Sequence, residues 1–221
     1  MQLRSDSFAN GAPIPPEFAF GKPGDPVALS DNRNPHLAWR DIPEGTRSFV
    51  LTCVDPDAPS KPDDVNQEGR TVPADLPRVE FTHWLMVDIP PECGELGAGS
   101  CSDGIVAHGK NDPVGPPGCR QGLNDYTGWF DGDADMRGEY FGYDGPCPPW
   151  NDSLVHHYHF RIHALDVATL NLGGPFGLED VRRAMDGHVL ASDLGIDRIL
   201  EYRIDSPSTG ADEVQRAGIT E

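Results

Sequence analysis

The chain has 221 residues, enough for one large domain or two small ones, and its 17 Lys and Arg against 36 Asp and Glu leave a formal charge of −19. Partners held through phosphate-backbone charge require clustered Lys and Arg, so nucleic acid and anionic membrane surfaces are excluded as main partners. The 25 glycines and 22 prolines, about a fifth of the chain, stay below the share that marks disorder and suit a mainly β body with long loops.

Residues 1–46 are dense in turn formers, among them Pro15-Pro16, Pro23-Gly24 and Asn34-Pro35, and predict short strands joined by turns. Arg47–Asp55 (RSFVLTCVD) is β-branched and aromatic and predicts a strand ended by Pro56. A proline-rich polar loop follows, with an insertion over 60–79. Glu80–Asp88 (EFTHWLMVD) is the second predicted strand, stopped by Pro90-Pro91. The segment 92–142 is rich in Gly and Asp with little periodicity, and a loop of that length is functional or hides structure of its own. Its aromatics and those just after it, including Tyr126, Trp129, Phe130, Tyr140, Phe141 and Tyr143, are too many for a solvated loop. The segment is therefore expected to fold down beside the site or across a homodimer interface.

Tyr158–Asp166 (YHFRIHALD) is the third predicted strand. Gly177–Ala191 predicts a helix, with Leu178, Val181, Arg182 and Met185 at helical spacing and Glu179 and Asp180 in its first turn. Ile199–Ile204 predicts a last short strand, and 206–221 a polar tail. The reading is a single domain over 1–205 with two inserted loops. No run approaches the ~18 apolar residues of a membrane span, and Met1–Phe8 lacks the apolar core of a signal peptide. Five cysteines form no C-x-x-C pair, which points to mostly reduced thiols in a cytoplasmic protein. Cys93 and Cys101 are the pair left open to bonding across a short loop.

Strand alternation directs attention to one region, because residues two apart share a face. Phe49, Leu51 and Cys53 make an apolar face that ends in Asp55. Phe81, Leu85 and Val87 share a face with His83, and Phe160, Ile162 and Ala164 share one with His156 and Tyr158. A carboxylate, two imidazoles and a phenol on apolar faces need partners or a ligand, and convergent polar groups beside apolar walls are how ligand pockets are built. The other row of the third strand, His157, His159, Arg161 and His163, reads as a solvated face.

The residues also resemble a known family. Asn34-Pro35-His36-Leu37-Ala38-Trp39, Pro43, Gly45-Thr46, Ser48-Phe49 and Asp55-Pro56-Asp57-Ala58-Pro59 match the first signature of phosphatidylethanolamine-binding proteins. Gly145-Pro146-Cys147-Pro148-Pro149, His156-His157-Tyr158-His159-Phe160 and Ala164-Leu165-Asp166 look like the second. The chain is most similar to the bacterial branch called Raf kinase inhibitor-like proteins, over roughly 34–205. The resemblance implies a two-sheet antiparallel β-sandwich with peripheral short helices and a small anion-binding cavity at one end of the larger sheet. It places Asp55 and His83 on the pocket carboxylate and histidine. Cys147 and Pro148, with Pro149, fall on the proline-rich pocket loop, and His156 and Tyr158 on the second histidine and the tyrosine. His157 departs from the Arg found in many members, and both insertions exceed the compact bacterial pattern.

Rival chemistries fit less well. His157 and His163 lie about 20 Å apart along a strand, too far for one metal ion. Asp131, Asp133 and Asp135 begin like a calcium loop, but Met136 and Gly142 occupy positions that need Gly and Glu. Cys147 could be drawn as a nucleophile with His156 and Asp55, yet it sits between prolines and reads better as a small loop residue. No cofactor motif is present. The expected function is a non-catalytic binding protein for a small anionic ligand, a phosphate or phospholipid head group. In that reading His83, His156 and Tyr158 donate, and Asp55 orients a histidine or accepts from an amine. A protein-interaction module that inhibits a protease or other enzyme through the 60–79 or 92–142 loop is the alternative, and a weak hydrolase comes last.

Overall fold

The computed structural model describes residues 1–196 and 199–200. In chain order the strands are β1 (Gln2–Arg4), β2 (Gly21–Pro23), β3 (Val27–Leu29), β4 (Leu37–Arg40), β5 (Ser48–Pro59), β6 (Arg78–Ile89), β7 (Glu95–Leu96) and β8 (Arg120–Gln121). The short helix α1 (Tyr126–Trp129) follows, then β9 (His156–His157), β10 (His159–Leu165), helix α2 (Leu178–Met185), β11 (Val189–Ile196) and β12 (Ile199–Leu200).

The main sheet has the order β11-β10-β5-β6-β8, and a second sheet the order β1-β4-β7. All named pairings are antiparallel, giving the expected mainly β sandwich. Between the sheets pack Phe49, Leu51 and Cys53 of β5, Phe160 and Ile162 of β10, and Leu37 and Trp39 of β4. Full burial of each such side chain contributes about 1.5–3 kcal/mol. The outer face of the main sheet is covered by α2, whose Val181 and Met185 pack on Val50, Leu85 and Val87. Asp180 accepts from the Gly177 amide at 3.1 Å and fixes the helix start.

Several element boundaries differ from the sequence expectation, each for a local reason. β5 runs through Pro56 to Pro59, because a register shift between Asp55 and Ala58 sets one extra residue beside the proline and removes the need for its missing N–H. The third predicted strand is split at Tyr158, with β9 paired to β12 and β10 to β5. The helix ends at Met185, not Ala191. Gly187, at φ 78°, turns the chain, and Val189 and Leu190 are exposed residues of β11 rather than a continuation of the helical stripe. The segment 92–142 contains β7, β8, α1 and bridges from Lys110 to Tyr140 and from Leu123 to Phe141. All five cysteines, Cys93 and Cys101 included, are free. The predicted strand past Leu200 and the polar tail lie outside the described residues.

Candidate functional site

The site is assembled by two local breaks in strand regularity. In β6, Trp84 pairs with Cys53 but Thr82 pairs with Val54, so His83 is one residue too many. Such a bulge re-aims a side chain and breaks alternation. Trp84 and Met86 therefore join the core between the sheets while Leu85 and Val87 lie under α2. His83 turns to Tyr158, with ring centroids 5.1 Å apart in an edge-on contact. Alternation alone grouped His83 with Leu85 and Val87, and the bulge is why that grouping fails. The other break, beside Asp55 in β5, leaves Asp55 Oδ1 accepting from the Asp57 amide at 2.7 Å.

The loop carrying Cys147 and Pro148 is pinned at its N-terminal end. The Asp144 amide donates to the His83 carbonyl at 3.0 Å, and the Pro146 carbonyl accepts from Phe20 and Gly21 at 2.9 and 3.1 Å. Gly145 donates to Asn32 Oδ1 at 2.8 Å, and a Cβ at Gly145 would stand 2.3 Å from the Phe18 carbonyl oxygen. Gly145→Ala should then push backbone against backbone and destabilise by about 1–3 kcal/mol, read as a lower urea midpoint with an unchanged slope; an unaltered midpoint would mean the loop can move aside freely.

Asp55, His83, Cys147, Pro148, His156 and Tyr158 all line one cavity of ≈ 670 Å³. Every sequence-predicted site residue is thus brought to the same place. Its remaining wall comes from the end of β5 and the following loop, with Lys61, Pro62 and Val65, and from the 92–142 segment. Tyr126 stacks on Phe20 at 4.6 Å and on Phe130 at 5.5 Å, its hydroxyl donates to the Gly145 carbonyl at 2.7 Å, and Trp129 stands at the edge, 48% exposed. The segment does fold down beside the pocket.

Electrostatics separates the two histidines. His156 donates from Nδ1 to Asp55 Oδ2 at 2.6 Å and from Nε2 to Asp152 Oδ2 at 3.1 Å. Burial alone would favour its neutral form, but the two carboxylates outweigh burial and lift its pKa from 6.5 to about 9. Arg78 holds Asp152 in a two-pronged contact at 2.6 and 3.0 Å. Although burial acts to raise it, the bonds from His156 and Arg78 bring the Asp152 pKa down to about 2. The row Asp55–His156–Asp152–Arg78 alternates in sign and balances its own charge. His83, by contrast, has its pKa lowered by burial, which outweighs the pull of Asp55 and of the Asp144 carbonyl. Its Nδ1–H donates to that carbonyl at 2.8 Å, a geometry that leaves Nε2 with the lone pair. Burial pushes the Cys147 thiol up to about 11. The Tyr158 hydroxyl is buried and has no hydrogen-bond partner among the described residues.

Asp152 and Arg78 were not legible from strand patterns, because one lies in an irregular stretch and the other at a strand start. A four-residue spacing from Asp152 to His156 was the sole signal. The aromatic wall was foreshadowed by composition, though not its contact with Phe20.

The sequence model of the family described as phosphatidylethanolamine-binding protein matches residues 4–196. The UPF0098 protein of Aquifex aeolicus is 33% identical over 192 residues, covering 86% of this chain and 83% of its own. The UPF0098 protein of Methanothermobacter thermautotrophicus is 33% identical over 190 residues, covering 86% and 92%. Among solved structures, Escherichia coli YbcL, described as a new member of the mammalian PEBP family, superposes with a TM-score of 0.65 at 26% identity, covering 90% of this chain and 97% of that one.

Proposed function

Because the chain belongs to the phosphatidylethanolamine-binding protein family, we propose that it is a non-catalytic binding protein whose cavity takes a small amphipathic molecule by a phosphate-like head group. The observation that carries this reading is the Tyr158 hydroxyl, buried without a partner beside His83 and Asp55 in the same cavity. A buried donor left unpaired costs about 1–3 kcal/mol, which a ligand oxygen would recover. His83 Nε2 is the second contact. An anion arriving there is best met by the imidazolium, so binding takes up a proton. His156 has both ring nitrogens on carboxylates, and its part is to hold Asp55 in place. Asp55 remains available to an amine on the ligand. The ≈ 670 Å³ volume lies in the ~300–1,000 Å³ range of small-molecule sites, and the aromatic wall suits an apolar remainder.

Two features speak against turnover: the Cys147 thiol is protonated at neutral pH, and His156 has no nitrogen free to act as its base. Five unpaired thiols suit a reducing compartment such as the cytoplasm.

Calorimetric titration with inorganic phosphate and with O-phosphoethanolamine tests the reading. The affinity of the wild type should fall from mildly acidic to mildly alkaline pH, since the His83 pKa is depressed in the free protein and raised by a bound anion. Tyr158→Phe should bind about five- to tenfold more weakly, one hydrogen bond's worth, while keeping or raising its melting temperature because no unpaired hydroxyl remains buried. Equal affinity in the two proteins would take the head group out of this cavity.

A further inference from the structure

The outer row of β10 is not the solvated face that its composition suggests. α2 lies across the same face of the sheet, and a cleft of ≈ 90 Å³ opens between them, lined by Arg161 and His163 of β10, Arg182 of α2, Glu80 of β6 and Thr52 of β5. It takes Thr52 of β5 and Arg161 and His163 of β10, whereas the main cavity takes Asp55, Ala58 and Pro59 of β5 and Tyr158 just before β10, with Glu80 bordering both. Arg182 is committed here. It holds Glu80 in a two-pronged contact at 2.7 and 2.8 Å and reaches Glu179 at 2.7 Å.

Arg161 is different. The residue is half-buried; its guanidinium acts on the Glu80 carboxylate through space but makes no hydrogen bond or contact ion pair among the described residues. Its exposed donors are met by water, which an oxyanion can replace with charge-assisted bonds to the planar guanidinium fork. With Arg161 and Arg182 positive and Glu80 negative, the charged groups of the lining carry one net positive charge, in a chain whose formal charge is −19. The cleft's volume is that of about three waters, room for a single tetrahedral oxyanion and not for a larger molecule behind it.

We propose that this cleft is a second binding site, for a small oxyanion such as inorganic phosphate or sulfate, held by the Arg161 fork with His163 as the neighbouring donor. His163 reaches Ser192 Oγ through Nδ1 at 2.7 Å, which leaves Nε2 for the ligand. Burial first, then Arg161 and Arg182, lower its pKa to about 4. The groups around it are Arg161 and His159 on its own strand, Arg182 and Glu179 on α2, Glu80 on β6 and Ser192 on β11. An anion in the cleft opposes the two arginines and raises the proton affinity of His163. The site does not depend on the head-group reading of the main cavity, and the two fail separately.

The test is an NMR titration of the full chain with sodium sulfate, and separately with inorganic phosphate, at constant ionic strength. It follows the Arg161 guanidinium and His163 imidazole signals. We expect a saturable shift in the wild type, an unchanged isotherm in Tyr158→Phe, and binding about tenfold or more weaker in Arg161→Gln, as befits loss of a charge-assisted contact. Arg161→Lys keeps the charge and loses the fork, so it should also bind more weakly than the wild type, and it keeps the test open if the glutamine variant folds poorly. A drift that does not saturate, or an isotherm that is the same in wild type and the Arg161 variants, marks an adventitious ion only and overturns the site. Loss of the shift in Tyr158→Phe would place the ion in the main cavity and overturn it equally.

Discussion

Replacing His156 with leucine is expected to lower the stability of the fold by ~3–5 kcal/mol, the range for breaking a buried ion pair by removing one partner. The ring is 1% exposed and bonded on both sides, to Asp55 and to Asp152. Without it Asp55 keeps a buried negative charge with no cation against it, while Asp152 still has Arg78. The effect has a pH signature. The pKa of His156 rises from 6.5 to about 9 on folding, so its contribution is complete below 6.5 and is lost as pH climbs through about 9. That rise corresponds to about 3 kcal/mol. The pKa of Asp152 falls from 3.8 to about 2, so its contribution is complete above 3.8 and is lost as pH drops toward about 2. The wild type should therefore show a plateau between these limits. Urea unfolding on the plateau and again above the His156 pKa would measure the difference, and His156→Leu should lack the alkaline loss. Parallel curves for the two proteins would show that the network holds no net stability.

A second large loss is expected from Lys110→Met. Lys110 Nζ lies 3.0 Å from Asp144 Oδ1, donates to the Tyr143 carbonyl, and is buried with Asp144. Asp144 also accepts from Asn32 at 2.8 Å and from Asn124 at 2.7 Å. Removing the ammonium leaves the carboxylate facing two neutral amides, again at a cost of ~3–5 kcal/mol. The change should reach the cavity, since the Asp144 main chain holds His83 through both its amide and its carbonyl. Adding Asp144→Asn to Lys110→Met removes the stranded charge while keeping an acceptor for the amides. The double variant should recover a coupling of about 1–3 kcal/mol in a double-mutant cycle, and strict additivity would mean that the pair does not act as a unit.

Much of this site could be anticipated because its residues fall on strands. Asp55 ends an apolar row of β5, and Tyr158 and His156 continue the row of Phe160 and Ile162 upstream of β10, so alternation finds them from sequence alone. His83 was found by the same rule for the wrong reason: its bulge defeats the alternation that singled it out. Gly187 marks the point where helical spacing and a strand start become indistinguishable in sequence, since Val189 and Leu190 extend the apolar pattern of α2 while belonging to β11. Arg78, Asp152 and the Lys110–Asp144 pair were out of reach. Their partners lie 74 and 34 residues away, and no local period records a contact of that separation. The solvated-face reading of Arg161 and His163 failed in the same way, because α2 is a remote segment whose placement no property of β10 announces.

The extra residue at His83 also decides what a change in chain length disturbs. Downstream of it β6 sends Trp84 and Met86 into one layer of the core and Leu85 and Val87 into another. Deleting one residue between Thr82 and Trp84 would either exchange those two layers or slide the whole strand against β5, and it would remove the turn of His83 toward Tyr158. The loop upstream, between β5 and β6, keeps no strand alternation, but it is held in place by the Asn151 side chain, which bonds its backbone at Asp64, Asn66, Gln67 and Arg70. A change of length there would disturb those contacts and the cavity wall rather than the layers of the core. β6 thus ties the partition of the core and the aim of the cavity histidine to the same count of residues, so neither can be altered by a change in length without disturbing the other.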